Sequence, residues 1–280
     1  MCQKMNAAMP NQSYIIAGNP RSGTHLLADG LSATGIAGFP DERFVRPREK
    51  DLALNNRGRA FLRPTPPEEA YIPQEDSKFV RAVIETGTTA NGVFGVTVHH
   101  FQLNDVARRV ASYLGCSPLS AHQIFSMAFP NLSYVWLRRR DKVAQAVSWH
   151  KAAHSGQFVK IEGKQGAPRT GGAEFDYAAI RTYWSALRSA DNGWQHFFLE
   201  SEVRPYILYY EDLASNYEGT IRDVMKYLKL TDQPYTVRPP RHQKVADAQS
   251  LAWIAQFNLM NVSRRQSTRA SLPKADDRDL

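Results

Sequence analysis

Residues Tyr14 to Leu31, YIIAGNPRSGTHLLADGL, constrain the fold more than any other stretch of the chain. A short apolar run (Tyr14, Ile15, Ile16, Ala17) reaches Gly18; Asn19-Pro20-Arg21-Ser22-Gly23-Thr24-His25 follows, and Leu26, Leu27 and Leu31 then fall at helical spacing. The pattern predicts strand, tight loop and helix. Backbone N–H groups of the loop then point toward the helix N-terminus, where hydrogen bonds and the helix dipole together favour an anion. Such a loop suits phosphate.

Gly18 and Gly23 have the interval of the mononucleotide-binding motif G-x-x-x-x-G-K-[ST], but Thr24 stands at the lysine position and His25 at the hydroxyl position. A kinase or ATPase built on this loop would lack both the cation for the β/γ-phosphates and the hydroxyl for Mg²⁺. Arg21 and the backbone amides remain, suited to a group carrying less charge than a triphosphate.

The 280 residues suffice for one domain with insertions, and 42% apolar with 22% charged residues is ordinary for a globular protein. We expect a flexible N-terminus over 1–13, a single domain over 14–260 with irregular insertions near 46–73 and 155–172, and a loose tail over 261–280. No apolar run approaches the ~20 residues that span a bilayer, and Met1 to Ser13 lacks an apolar signal region; the expected location is cytoplasmic. Cys2 and Cys116 are far apart and lack metal-ligand spacing, which argues against a disulfide framework or a zinc site and suggests unpaired thiols. The net charge of +8 implies an anionic partner: nucleic acid, anionic lipid or a multiply phosphorylated cofactor.

Further along, Gly35 to Pro40 closes the first helix, and Asp41-Glu42-Arg43-Phe44 lies on a loop or short helix. Two roles are open for these carboxylates: facing the phosphate loop, since loops after strands form the crevice of an open α/β sheet, or serving as helix N-terminal charges. Gly92 to Val98 reads as a buried strand ending in His99-His100, a pair better suited to a pocket edge than to a metal, given no nearby Cys or carboxylate at ligand spacing. Leu132 to Leu137 is another strand, with Arg138-Arg139-Arg140-Asp141 at its C-terminal end, and a helix follows from Lys142 to His154. Ser148, near that helix's second turn, can face back toward the arginines, whose planar forks match phosphate oxygens. A long aromatic-striped helix from Asp176, a buried strand over Tyr206 to Tyr210, an amphipathic helix over Leu213 to Leu230 and a last helix over Ala248 to Leu259 complete the pattern. The alternation predicts an α/β fold: a P-loop-like central parallel sheet with helices on both faces.

Several of these motifs, in this order, resemble the Stf-zero type of bacterial sulfotransferase, the trehalose and lipopolysaccharide sulfotransferase group. They are Gly18 to Thr24, Gly35 to Phe44, Asn91 to Gly95, Arg139 to Trp149, Tyr210-Glu211-Asp212-Leu213 and the late stretch from Gln243 to Phe257. The resemblance runs from about Tyr14 to Phe257. It implies transfer of a sulfuryl group from 3′-phosphoadenosine 5′-phosphosulfate (PAPS) to a hydroxyl of a carbohydrate or glycolipid. Arg21, Ser22, Gly23 and Thr24, flanked by Pro20 and His25, would match the loop for the 5′-phosphosulfate. Arg139 and Ser148 would match the pair for the 3′-phosphate, Glu42 the general base, and Lys244 the basic residue near the last helix. No metal is expected, because the leaving group is already a stabilised nucleotide phosphate. The implied partners are a small-molecule or glycolipid acceptor, with membrane contact through the acceptor and no nucleic acid; the resembled group includes dimers, so a homodimer is a further expectation.

The chain departs from the resembled pattern at Thr97, where a lysine is general, and at His25, where a threonine is. The departure leaves His25, His100 or Lys160 to meet the sulfuryl charge. Two other readings compete: a divergent P-loop kinase, which needs Mg²⁺ and an NTP, and a basic module that binds polyanions without catalysis.

Overall fold

The computed structural model describes residues 10–44, 73–116, 119–155, 173–240 and 247–270. Four strands form one sheet in the order β2-β1-β3-β4: β1 Gln12–Gly18, β2 Val93–His99, β3 Leu132–Arg138 and β4 Tyr206–Tyr209. Every pairing is parallel, with Gly18 opposite His99, Ala17 opposite Trp136 and Arg138 opposite Tyr209. The helices are α1 Thr24–Ala33, α2 Pro73–Gly87, α3 Leu103–Leu114, α4 Ala121–Ala128, α5 Lys142–Ser155, α6 Tyr177–Glu200, α7 Tyr210–Ser215, α8 Tyr217–Tyr227 and α9 Ala248–Ala270.

Strands covered on both faces read as near-continuous apolar runs, and side chains leave them alternately to each side. Ile15, Ala17, Phe94, Val96, Val98, Tyr134 and Trp136 pack with Val80 of α2, Val106 and Val110 of α3, Phe125 of α4 and Trp194 of α6. On the other face, Tyr14, Ile16, Val135, Leu137 and Leu208 pack with Leu27 and Leu31 of α1, Leu213 of α7 and Ile221 of α8. A third cluster joins α5, α6 and α9 through Trp149, Tyr183, Trp253 and Phe257. The expected α/β architecture with helices on both faces is therefore the one found.

Three local expectations need correction. β4 is an edge strand with one hydrogen-bonded neighbour, and Ile207 is 49% exposed, so it is not the buried strand read from YILYY. The single helix expected over Leu213 to Leu230 is two helices. Asn216 separates them: its backbone, at φ −133° and ψ 67°, leaves the helical region and ends α7, and its side-chain oxygen accepts from Gly219 N to cap α8. The last helix runs past Leu259 to Ala270, into the stretch expected to be loose. No helix among the described residues is long and apolar enough to cross a membrane.

The connection after β1 leads to β2 on one side, and the connection after β3 leads to β4 on the other. The gap between the C-terminal ends of β1 and β3 is thus the switch point at which open α/β sheets hold ligands. The first loop and the strand-end arginines both emerge there.

Candidate active site at the C-terminal edge of the sheet

The loop after β1 turns through two left-handed residues, Arg21 at φ 64° and Gly23 at φ 94°. Gly23 is required twice over: it is the N-cap of α1, and a Cβ there would lie 2.6 Å from the Tyr210 ring. It brings no side chain to the first-turn N–H groups of α1, leaving the helix end to its dipole and its loop. Ser22 and Thr24 are buried, and Ser22 N donates to the Asn19 carbonyl at 3.1 Å.

Helices from the far half of the chain hold this loop from below. Asn19 Nδ2 donates to Asp191 Oδ1 at 2.8 Å, and Trp194 Nε1 donates to the Gly18 carbonyl at 2.9 Å, both from α6. Gln145 Nε2 of α5 donates to the Pro20 carbonyl at 2.7 Å. Asp191 is 5% exposed and also meets Lys142 Nζ at 2.7 Å and Arg138 Nη2 at 3.3 Å, the cationic company a buried carboxylate requires.

The three consecutive arginines part ways. Arg138 lies over the Trp136 ring and pairs with Asp191; Arg140 forms a two-bond fork with Asp212 at 2.7 Å on the surface. Arg139 turns inward: its Nη1 donates to the Arg21 carbonyl at 3.2 Å and its guanidinium sits 4.8 Å from the centre of the Tyr210 ring. Arg139 Nε is buried without a hydrogen-bond partner among the described residues. Arg21 Nε donates to Ser148 Oγ at 3.0 Å, so Ser148 contacts the first arginine rather than the second. Burial and the neighbouring Arg139 charge push the Arg21 guanidinium down to about 10. Two half-buried like charges side by side are unfavourable alone and are stabilised by an anion between them.

Glu42 arrives by a different route. The segment from Ala37 to Asp41 is laid along β2 by a chain of hydrogen bonds. Tyr14 donates to the Ala37 carbonyl at 2.6 Å, Phe39 N to the Gly87 carbonyl at 2.9 Å, Thr97 Oγ1 to the Pro40 carbonyl at 2.6 Å and Thr97 N to the Asp41 carbonyl at 3.1 Å. Residues 41 and 42 are irregular and 43 and 44 form a turn. Its Oε1 lies 2.7 Å from His99 Nε2, 3.5 Å from His25 Nε2 and 3.2 Å from the Thr24 hydroxyl, which donates to it. Burial raises the carboxyl pKa, but the two histidines and the Thr24 hydroxyl outweigh it and hold the group at about 2.

Of the residues singled out from sequence, Pro20, Arg21, Ser22, Gly23, Thr24, His25, Arg139, Ser148 and Glu42 are gathered at this edge. Lys244 and Lys160 lie outside the described residues. His100 packs against α6: a Cβ at Gly193 would collide with it, and it lies edge-on to Trp194 at 5.7 Å. Sequence reasoning missed Asp191, Gln145 and the tie from His99 to Glu42. Gln145 stands three residues before Ser148, a spacing that places both on one face of α5.

An all-parallel sheet whose first strand leads through a glycine loop into a helix defines a P-loop-like α/β protein. The Stf0 sulphotransferase family model matches residues 13–259, and the chain belongs to that family. It is a sulfotransferase. It is 28% identical over 273 residues to trehalose 2-sulfotransferase of Mycolicibacterium smegmatis and 25% identical over 270 residues to trehalose 2-sulfotransferase of Mycobacterium tuberculosis. Each match covers 93% of this chain and 97% of the relative. Similar solved structures include a sulfotransferase from Alicyclobacillus acidocaldarius (14% identity, TM-score 0.44, covering 94% of this chain and 96% of that one). Another is a sulfotransferase from Mycobacterium avium (13% identity, TM-score 0.44, covering 91% and 69%).

Proposed function

We propose that the enzyme uses PAPS as sulfuryl donor and a hydroxyl of a carbohydrate or glycolipid as acceptor. The observation that carries this reading is the chain of contacts from Arg139 through the Arg21 carbonyl and the Arg21 side chain to Ser148. It sets two half-buried guanidinium groups at the β1–β3 switch point, beside a loop suited to phosphate. A nucleotide phosphorylated at both the 3′ and 5′ positions needs two anion subsites. The unpartnered Arg139 Nε fits a phosphate oxygen, and the side-chain-free N-cap at Gly23 fits close approach by another. The carbohydrate acceptor rests on the trehalose 2-sulfotransferase relatives.

In this reading Arg139 and Ser148 hold the 3′-phosphate, and Arg21 with Ser22, Gly23 and Thr24 holds the 5′ end. The bound nucleotide supplies the sulfuryl group and a stabilised phosphate leaving group. By analogy with phosphoryl transfer, the protein's work in a loose in-line displacement is to position groups and stabilise charge. The acceptor oxygen forms a bond to sulfur as the bond from sulfur to the phosphate oxygen breaks. The electron pair of the broken bond stays on the phosphate, where Arg21 and the loop N–H groups meet it. Glu42, ionised at neutral pH, takes the hydroxyl proton.

Thermal unfolding with 3′-phosphoadenosine 5′-phosphate (PAP), adenosine 5′-phosphosulfate, ATP–Mg²⁺ and GTP in parallel tests the reading. Selective stabilisation by PAP is expected, since a ligand of the folded state stabilises by mass action. Stabilisation by ATP–Mg²⁺ alone would point to a kinase. Binding of polyanions with steep salt dependence and no preference for PAP would point to a basic binding module.

A further inference from the structure

We propose that His99 is a positioning residue for Glu42: it fixes Oε1 of the carboxylate and leaves Oε2 as the atom that meets the acceptor hydroxyl. The inference rests on the reading of Glu42 as the base and goes beyond it in naming the atom and the residue that aims it.

The contact from His99 Nε2 to Glu42 Oε1, at 2.7 Å, is the shortest that Glu42 makes and lies in the range of charge-assisted hydrogen bonds. A carboxylate only accepts, so Nε2 carries the proton and donates it. The imidazole is itself held. His99 ends β2 opposite Gly18, its backbone N donates to Gln102 Oε1 at 3.0 Å, and its ring lies stacked on Phe101 at 5.5 Å with an interplanar angle of 8°. The side chain is 3% exposed, and Nδ1 has no hydrogen-bond partner among the described residues, so no competing acceptor turns the ring over.

Oε1 also accepts from the Thr24 hydroxyl at 3.2 Å, so its lone pairs are engaged on the side of the phosphate loop. Oε2 has no partner among the described residues. The groups that bear on the carboxylate come from three directions: His99 from β2, Thr24 and His25 from α1, and the Arg21 charge from the loop. On its own segment, Asp41 and Arg43 pair with each other at 3.1 Å. Thr97 lies two residues before His99 on the same strand and ties down the Pro40 and Asp41 carbonyls. One strand therefore holds both the backbone that carries the base and the carboxylate itself. That rigidity matters because a misplacement of ~1 Å at a reacting group costs ~10²-fold in rate.

The test compares wild type with His99→Leu, which removes the donor, and His99→Gln, whose amide N–H restores an uncharged one. Glutamate carboxyl carbons are labelled with ¹³C, and Glu42→Gln identifies the Glu42 resonance by its loss. In wild type the resonance is expected to remain that of a carboxylate down to about pH 4, where ordinary glutamates are half protonated. In His99→Leu its midpoint should rise by about one pH unit or more; in His99→Gln most of that rise should be absent, and PAP affinity should change less than about threefold in either variant. An unmoved Glu42 midpoint in His99→Leu, an equal rise in both variants, or a loss of PAP affinity beyond about tenfold would each overturn the positioning role. The base reading fails separately: it is overturned if Glu42→Gln still transfers sulfuryl, whatever the His99 variants do to the resonance.

Discussion

Arg139 donates from Nη1 to the carbonyl of Arg21 at 3.2 Å, and Arg21 is itself held in left-handed backbone at φ 64°. One arginine thus maintains the conformation of the other, which costs about 1 kcal/mol for a residue with a side chain. Arg139→Ala should weaken PAP binding by about 10- to 100-fold through loss of a charge-assisted phosphate contact. AMP, which lacks the 3′-phosphate, should lose only the smaller amount due to the relaxed loop. Calorimetric titration of both nucleotides decides: equal losses would remove the 3′-phosphate assignment.

Glu42→Gln keeps the size of the side chain and lets the Thr24 hydroxyl go on donating to its carbonyl oxygen. PAP binding should be retained within a few-fold, while sulfuryl transfer falls by about 10²- to 10⁴-fold, the usual worth of a positioned base. Single-turnover transfer from radiolabelled PAPS to trehalose or a glycolipid extract measures it. Transfer at the wild-type rate would take the base assignment away.

The depressed Glu42 pKa has a thermodynamic counterpart with a definite sign. A carboxyl that titrates near 4.5 when unfolded and at about 2 when folded stabilises the fold fully above the higher value. That contribution is lost as the pH falls toward the lower one. The difference in urea midpoint between wild type and Glu42→Gln should be constant at neutral pH and narrow between about pH 4.5 and 2. A difference that holds level across that window would show that the histidines do not retain the charge on Glu42.

Asp191 sits beneath the phosphate loop with Asn19, Arg138 and Lys142 around it. Asp191→Ala leaves two cations and an amide without their shared acceptor, and should cost about 3 kcal/mol in urea unfolding. Asp191→Asn keeps an acceptor for Asn19 and should preserve more PAP affinity than the alanine variant does. If both variants bind PAP like wild type, the loop does not depend on this anchor.

What could be read in the chain without coordinates was the part coded over short range. The apolar run into Gly18, the glycine spacing and the arginine turn after β3 announce their geometry within a dozen residues; helical periodicity placed Ser148 near an arginine but not which one, since it meets Arg21. Which of the three arginines turns inward has no local signature; only the family resemblance singled out Arg139. Arg138 is drawn off by Asp191 and by nearby Trp136, and Arg140 by Asp212; the two carboxylates are remote in sequence, and they leave Arg139 to turn inward. Asp191 was hidden for a related reason: within an aromatic helix its charge carries no local signature, and only the fold brings Asn19 to it. Tyr206 to Tyr210 was overread because apolar composition does not distinguish an edge strand from a central one.

Asn19 and Asp191 are 172 residues apart. A growing polypeptide that has emerged from the ribosome only through Arg139 already carries the glycine loop and both inward-reaching arginines. It still lacks the carboxylate on which that loop rests. With PAPS as donor, as proposed above, nucleotide lends its binding energy to folding only after α6 has been made, late in synthesis. Truncated products ending earlier would gain nothing from the donor and would stay open to proteolysis.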